Sequence, residues 1–476
     1  MRFLNLFKLA LVAVTLSGLC FHPSIIRAED EEVIERPDAL PPAQNEPRQS
    51  EASIFAQTEA NQSHVSSAPV NAPVPVARPS QAEAEDNAIG AEAENNDLGI
   101  GRFERLPFHV TASVVFGYDD NVITALSQGN ASTYVHPNVD VIYAFTDPRT
   151  TANLKAGAGF NYYFDQPSDQ AYDVNVSLGL SLAHKASERL TLSADTSLNY
   201  LTEPDFSLSV GNRRSGNYFY TVDLFKGTYQ WQPRFATATS YSLLFVNYDD
   251  DVVGRFQDRS EHTFGNEFRF ALQPSTILVG EVRFQIVSHT QTPTASSPQD
   301  STSEFLLAGF EHTFNPRLNV SLRGGAQLRS YDNGGDTTEP YFESTLNYSA
   351  GKRTTLSWTN HYGLEEPDLD KNQSRTTFRT GLTGTYSFTS RLSAGVSFYY
   401  LHNDYDQGPP IILFGFIFPG APPFKEDSVD VSLNARYQLN RAFSALVGYE
   451  HTQIFSDMPS REYSRNRVFG GLTFAF

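Results

Sequence analysis

The sequence predicts an all-β protein: a transmembrane antiparallel up-and-down β-barrel of about 18 strands, preceded by a disordered N-terminal segment. Short polar turns recur eight times, each between two runs in which apolar and polar residues alternate. The alternation gives each run one aliphatic and aromatic face and one small polar face. After the first 28 residues, no stretch approaches the roughly 20 apolar residues of a membrane helix.

The first 28 residues predict a secretory signal peptide, 1–28. Two basic residues precede an apolar run over residues 9–21, and Ala28 offers a small residue before an acidic stretch. The single cysteine of the chain, Cys20, lies inside this segment. We therefore expect a mature chain without thiols, disulfides or a lipid anchor.

Residues 29–105 predict a disordered acidic segment, rich in Ala, Glu and Pro, in the periplasm. It holds 16 Asp and Glu against 5 Lys and Arg, which gives −11 of the net charge of −19. Such a composition buries too little apolar surface to order itself. Two interpretations stay open: an arm that contacts peptidoglycan or a partner, and a solvated spacer.

The remaining residues, 106–476, predict the barrel, because no linker interrupts them. Seven of the eight short turns carry an arginine at nearly the same place, and one carries a serine: Arg149, Arg189, Arg234, Arg317, Arg353, Arg391 and Arg441, with Ser275. The predicted strands begin near Phe108, Tyr134, Thr151, Tyr172, Leu190, Asn217, Phe235, Arg259, Thr276, Thr302, Leu318, Glu339, Thr354, Ser374, Leu392, Val429, Phe443 and Arg465. Eighteen strands need seventeen connections, so eight short turns leave nine longer loops. Since such barrels have short periplasmic turns, we expect both ends of the barrel domain to face the periplasm.

The two faces of the strands distinguish a membrane barrel from a soluble β-sandwich or propeller. From Tyr172 to His184, one parity carries Tyr, Val and Leu, and the other carries Asp, Asn, Ser and Gly. The polar face is too hydrated for a packed core, while its opposite suits hydrocarbon. The last strand adds an apolar parity that resembles the C-terminal signal read by the barrel assembly machinery: Val468, Leu472, Phe474 and Phe476.

The outer end of the first strand carries a family resemblance. Gly117-Tyr118-Asp119-Asp120-Asn121-Val122 resembles the opening of the β-barrel porin type 2 family, whose members include outer-membrane proteins linked to exopolysaccharide export. The resemblance covers about 106–476 and implies an outer-membrane pore, without identifying a solute.

The lumen is where we expect functional residues, because barrels of 16 to 18 strands generally leave an aqueous channel. On the predicted register, inward charges of the early strands are mainly acidic: Asp140, Asp173, Asp195, Asp223, Glu267 and Glu281. Those of the later strands are mainly basic: Arg323, Arg329, Arg375, Arg379, Arg436 and Arg467. Such an arrangement predicts a transverse field across the pore, and the alternative is that the charges pair locally.

Two outer features carry further hypotheses. The longest connection contains an apolar stretch, Ile411–Phe424, which we expect to narrow the channel or to pack against neighbouring loops. Acidic clusters recur at outer strand ends, among them Asp119–Asp120 and Asp249–Asp251. They indicate turn-forming residues at the interface, with calcium or lipopolysaccharide bridging as the alternative.

The sequence therefore predicts an outer-membrane channel for passive passage of polar solutes or saccharides. The alternatives are a non-conducting structural or adhesive barrel and, third, an outer-membrane hydrolase; no nucleophile elbow, metal-binding pair at helical spacing or phosphate-binding loop favours an enzyme. The expected partners are outer-membrane lipids, lipopolysaccharide and the assembly machinery. We expect no cofactor and no nucleic-acid partner, and the sequence leaves the oligomeric state open.

Overall fold

The computed structural model describes residues 108–475, except for short gaps at 127–129, 167–171, 212–215, 291–299, 333–334, 369–371, 373, 409–410, 414–415 and 419–420. The predicted signal peptide, the acidic segment and Phe476 lie outside the described residues. Among the described residues, no helix has the length and apolar character to cross a membrane.

Eighteen strands of 12 to 15 residues form one sheet. In the first half of the chain they are β1 Phe108–Asp119, β2 Ser132–Thr146, β3 Thr150–Tyr163, β4 Tyr172–Lys185, β5 Leu190–Leu201, β6 Tyr218–Gln232, β7 Phe235–Tyr248, β8 Arg259–Gln273 and β9 Thr276–His289. In the second half they are β10 Ser301–Asn315, β11 Leu318–Tyr331, β12 Asp336–Ala350, β13 Thr354–Glu365, β14 Arg375–Ser387, β15 Leu392–Tyr405, β18 Phe424–Gln438, β19 Phe443–Ser456 and β20 Tyr463–Ala475. Among the described residues of the connections there are one helix, α1 Asp251–Gln257, and a hairpin of two short strands, β16 Ile411–Leu413 and β17 Phe416–Phe418.

The sheet is a closed antiparallel barrel. Each long strand pairs with the next along the chain, and β1 closes the sheet by pairing Thr111–Asp119 with Arg467–Ala475 of β20. The predicted eighteen strands and eight short turns are confirmed; eight of the nine remaining connections are longer, while the connection after β11, residues 332–335, has four residues, as many as the longest of the short turns. Closure removes the unpaired sheet edges, as a bilayer requires.

A backbone hydrogen bond explains the turn repeat. The carbonyl of Arg149 accepts from the amide of Lys185 at 2.8 Å, and the arginines of most other turns make the equivalent bond to the adjoining strand. Ser275 and Ala442 make the same bond with their own carbonyls, at 2.8 and 2.9 Å. The turn therefore uses the backbone at this position and not the guanidinium group.

The outward face is apolar over most of the barrel, because its neighbour is hydrocarbon and not water. Leu306 and Val468 are 66% and 52% exposed on this face. Leu472 is exposed beside Val468, and the Phe474 ring packs on Phe443 with 4.9 Å between centroids. Three of the four residues of the predicted assembly signal thus point outward, and their role in assembly stays a prediction.

The predicted inward position of Asp223 is wrong. Asp223 pairs with Thr196 and Leu243 on the outward face, and the inward face of β6 carries Tyr218, Tyr220, Val222 and Leu224 instead. The inner face is apolar here because a loop packs against it, as described below. The rule that the more polar side of a strand faces the lumen therefore gave the wrong orientation for β6.

Candidate functional site in the barrel lumen

The lumen is accessible at the end with the short turns, which is the predicted periplasmic end, and is filled towards the opposite end, which we call the outer end. On the inner face of β3, Thr151, Asn153 and Lys155 near the periplasmic turn are exposed. Further along the same face, Asn161 and Tyr163 are buried. Whatever crosses this barrel therefore meets its obstruction in the outer half.

A loop between β5 and β6, residues 202–217, supplies part of that obstruction; we call it the inward loop. Residues 212–215 of it are not described. Asp205 and Val210 form an isolated bridge with backbone bonds of 2.8 and 3.1 Å, which folds the loop into a compact turn. The hydroxyl of Tyr220 donates to Asp205 at 2.9 Å, and Tyr218 donates to the Glu203 carbonyl at 2.8 Å. The apolar inner face of β6 thus serves as the platform of the loop.

One end of the inward loop is attached to the closing strand pair. The Glu203 carboxylate accepts from Arg465 of β20 at 2.7 Å and from Arg467 at 3.3 Å. Arg465 also donates to Asp119 of β1, with its Nε at 3.0 Å from Oδ2. Both arginines and Asp119 are buried, so these charges depend on one another for their pairing.

The other end of the inward loop reaches the opposite wall. The Ser209 carbonyl accepts from Arg375 of β14 at 2.7 Å, and Phe206 packs with Tyr399 and Leu401 of β15. β14 is eight strands from β6 in one direction around the barrel and ten in the other, so these contacts span the lumen.

A charge belt crosses the inner faces of β6 and β8–β12. It consists of Lys226, Glu267, Arg269, Glu281, Arg283, Glu311, Arg323 and Glu343. Arg269 and Arg323 each bind Glu311 at 2.7 Å, and Arg283 binds Glu343 at 2.7 Å. The four bases and four acids balance, and Arg323 is 0% exposed. These charges pair locally, which favours that alternative over an open transverse field.

An outer cluster joins three connections at the outer end of the barrel: Gln257, Asp368, Tyr405, Glu426 and Arg461. Arg461 donates to Asp368 at 2.7 Å and to Glu426 at 2.6 Å. Tyr405 donates to the second Asp368 oxygen at 2.6 Å, while Gln257 of α1 donates to the Asp368 carbonyl at 2.7 Å. Connections that follow β7, β13 and β19 thus meet above the lumen.

The two charged loop residues of the outer cluster stabilise each other's ionised forms. Burial by itself raises the pKa of Asp368, but Arg461 and Arg375 outweigh it and hold that pKa well below its ordinary value. Burial lowers the pKa of Arg461, and Asp368, Tyr405 and Glu426 outweigh it in the opposite direction. The pair therefore remains charged at neutral pH.

Eleven of the twelve predicted lumenal residues lie on the inner face. Those that are buried there are Asp140, Asp173, Glu267, Glu281, Arg323, Arg329, Arg375, Arg379, Arg436 and Arg467, with Asp195 half-buried. Arg329 pairs with Glu366 at 2.8 Å, and Arg375 and Arg379 share Glu365. Most of the set therefore belongs to ion pairs that brace the lumen, and its role in passage stays a prediction.

The residues that hold connections across the lumen and its outer end were missed from the sequence. Glu203, Phe206 and Asp368 lie in connections, where period-two alternation gives no information. One signal was available: the inner parity of β6 carries Tyr218 and Tyr220 where an open lumen would carry small polar residues. An apolar inner face in a polar lumen indicates that something covers it.

The acidic clusters at the outer strand ends have structural partners. Asp250 caps α1 by accepting from the Val252 amide at 2.7 Å, and Asp120 accepts from the Asn466 amide at 2.7 Å. In the part of the chain that the structure describes, no group of three or more His, Cys, Asp or Glu side chains could hold a metal ion. The predicted narrowing by Ile411–Phe424 stays a prediction; Phe424 at its end stacks on Tyr405 with centroids 4.1 Å apart.

The fold and lumen define the class of protein: an outer-membrane β-barrel of the porin type. The family described as "Putative beta-barrel porin 2" matches residues 108–476, and the chain belongs to this family. The resemblance found at Gly117–Val122 is thereby confirmed. No curated protein matches the chain.

Solved outer-membrane barrels are similar to the chain in fold. OpdK from Pseudomonas aeruginosa is 12% identical, with a TM-score of 0.39, over 78% of this chain and 99% of its own. OccK2 (OpdF) of the same organism, solved with glucuronate, is 10% identical, with a TM-score of 0.40 over 77% and 98%. The ferric enterobactin receptor PfeA of Pseudomonas aeruginosa is 10% identical, with a TM-score of 0.40, over 78% of this chain and 80% of its own.

Proposed function

We propose that the chain is an outer-membrane channel for passive passage of polar solutes, saccharides among them, with a constriction made by the inward loop. The observation that carries the proposal is the contrast along the lumen: an exposed polar wall at the periplasmic end, and a loop that spans the outer half through Glu203, Phe206 and Ser209. A loop attached by a few contacts narrows a lumen that 18 strands would otherwise leave wide.

The proposed solute class rests on the groups that line the accessible wall. Thr151 and Asn153 of β3 and the half-buried Ser181 and Ser193 offer hydroxyl and amide groups, which suit the hydroxyls of sugars. An association with exopolysaccharide export rests on the family resemblance alone. Liposome swelling in neutral mono- and disaccharides tests the solute class, and swelling with salts but not with sugars would contradict it.

Planar-bilayer recording of the purified full chain tests the channel. We expect small conductance steps from the unsubstituted protein and larger steps when residues 204–211 are removed, because Phe206 and Ser209 no longer cross the lumen. An equal deletion, 292–299, from the connection after β9 is the control, since the described contacts of the inward loop do not involve that connection. If neither the unsubstituted nor the shortened protein conducts, the channel is refuted.

The second candidate is a non-conducting structural or adhesive barrel. The charge belt and the outer cluster favour it, because the belt lines the lumen with paired groups such as the buried Arg323 and the cluster covers the outer end with paired groups such as the half-buried Asp368. The same recordings separate the two: this candidate expects silence from every variant. Since the 204–211 deletion leaves the charge belt in place, silence of that variant would favour it.

The proposal includes no enzymatic activity. Among the described histidines that face outward, His184 bonds Thr150 at 3.0 Å, His312 bonds Thr276 at 2.8 Å and His402 bonds the Asp427 carboxylate at 2.8 Å. None of these contacts joins a carboxylate to a nucleophile through the ring, as hydrolysis by a triad needs. Lipid or peptide hydrolysis by the purified barrel would contradict this part of the proposal.

A further inference from the structure

The outward face of β6 carries a carboxylate, Asp223, among apolar residues. On β6, Phe219 lies four residues from Asp223 towards the outer end of the barrel. Phe225, which is 46% exposed, lies two residues from Asp223 towards the periplasmic end. Leu243 is its partner on β7, and the Phe219 ring packs on Phe245 with centroids 6.1 Å apart. Asp223 therefore lies within the apolar band and not at its rim.

The chain itself offers Asp223 little compensation. Thr221 donates its hydroxyl to the carboxylate at 3.1 Å, and no described cation pairs with it. An ionisable residue that faces hydrocarbon is costly and marks a function or a partner.

The neighbouring strands extend this polar surface. Tyr241 and His262 bond through the hydroxyl and Nδ1 at 2.9 Å, and the Thr239 hydroxyl donates to the Asn266 carbonyl oxygen at 3.0 Å. These bonds leave the His262 Nε2 and the Asn266 amide nitrogen without a described partner. We call this surface the outward polar patch: Thr196, Thr221, Asp223, Tyr241, His262 and Asn266.

The patch is local. On the adjoining strands β9 and β10, the outward face presents Leu278, Val282 and Leu306, which are all exposed and aliphatic. The contrast between the two parts of the wall matches a surface that meets protein beside a surface that meets lipid.

We propose that the outward polar patch binds a second copy of this chain, in a twofold dimer whose axis runs along the membrane normal beside Leu243. Both copies have the same orientation in the membrane, because the axis runs along the membrane normal. Residues of one copy therefore meet residues of the other that lie at a similar depth in the bilayer. Asp223 lies nine residues from the periplasmic end of β6, and His262 and Asn266 lie eleven and seven from that of β8. The carboxylate is thus intermediate in depth between two donors.

The twofold geometry makes the patch self-complementary. Leu243 pairs with Asp223 on one side and with His262 on the other, which separates those two by two strand spacings, about 10 Å. Rotation about an axis beside Leu243 exchanges the two sides, so that each carboxylate faces the donors of the other copy. Lipid acyl chains have no donors, so they leave the carboxylate uncompensated.

Oxidative cross-linking in isolated outer membranes tests the interface. Leu243→Cys, at the axis, is expected to give a disulfide-linked product of twice the chain mass, while Val282→Cys on the outward face of β9 gives none. The unsubstituted chain, whose only cysteine is Cys20, is the blank. No product from Leu243→Cys, equal product from both variants, or a product of another mass would each overturn the second copy as the occupant.

A residue exchange tests the proposed pairing. In the Leu243→Cys background, Asp223→His and His262→Asp are each expected to lower the fraction of cross-linked product by at least about tenfold, because the twofold axis repeats the contact and each substitution removes both copies of it. The double variant restores a carboxylate opposite an imidazole and is expected to recover the product. A double variant no better than the single ones overturns the pairing, provided that all variants keep the gel mobility of the folded barrel.

Discussion

At the scale of single residues, Glu203 links the constriction to the barrel wall. Its carboxylate lies 2.7 Å from Arg465, which also binds Asp119, so a loop residue shares a guanidinium with the closing strand pair. Because Arg465 is buried, it depends on both carboxylates for compensation. Glu203 is therefore the residue at which the loop is most sensitive to a single change.

We expect Glu203→Gln to increase the open fraction of the channel. A charge-assisted hydrogen bond contributes about 1.5–3 kcal/mol, so its loss shifts the docked loop towards the undocked state about tenfold or more. Single-channel recording measures this as more frequent or longer large-conductance events. Glu188→Gln, the same change in an exposed periplasmic turn, is the control, and equal behaviour of the two variants would contradict the assignment.

Asp368 gives a pH prediction for the outer cluster. Its pKa in the folded chain lies below the value of about 3.9 expected for an unfolded chain, so its stabilising contribution is complete above that value. The contribution is lost as the pH falls through the folded-state pKa. We therefore expect constant conductance between about pH 8 and pH 5, and an increase only in strong acid.

The variant Asp368→Asn is expected to reproduce the acid state at neutral pH, because it removes the charge that pairs with Arg461. Asp332→Asn, in the exposed connection after β11, serves as its control. A conductance that rises between pH 7 and pH 5 in the unsubstituted protein would show that another group governs the outer end.

At the scale of elements, two connections compete for the role of constriction. The sequence pointed to the apolar stretch Ile411–Phe424, part of which forms the β16–β17 hairpin. The described contacts that span the lumen belong instead to the inward loop, through Phe206 and Ser209. The two elements make different predictions.

Deleting residues 411–424 is expected to raise single-channel conductance, but by less than deleting 204–211, because the inward loop contacts opposite walls through Glu203 and Ser209. The 204–211 deletion lies within a connection, whereas the 411–424 deletion also removes Phe424, the first residue of β18. Bilayer recordings of the two proteins under one salt condition give the comparison. A larger increase from the 411–424 deletion would assign the constriction to the hairpin.

The sequence predicts the strands and the short turns, but it does not predict the inward loop. Strand positions and short turns follow from local alternation and turn chemistry, so eighteen strands could be placed from the residues alone. The inward loop depends on contacts such as Glu203 with Arg465 and Ser209 with Arg375, separated by 262 and 166 residues. Nothing local encodes these contacts. The predicted face of Asp223 was wrong for the same reason, because the inner side of β6 is apolar where the inward loop packs against it.

At the scale of the whole molecule, closure of the sheet predicts resistance to detergent. Every long strand has two hydrogen-bonded neighbours, so no edge is available from which the sheet opens. We expect the unheated protein to migrate differently from the boiled protein on a detergent gel. Identical mobility would contradict a closed barrel in the purified sample. The same gel comparison is the folding check for every variant above.

The pairing of β1 with β20 also sets an order of events. Arg465 and Arg467 belong to β20, so Glu203 of the inward loop acquires these two arginine contacts only after β20 has been synthesised. Until then, Glu203 and Asp119 have neither of these cations beside them. Docking of the loop thus reports that the barrel is complete, and an unfinished barrel keeps its constriction undocked.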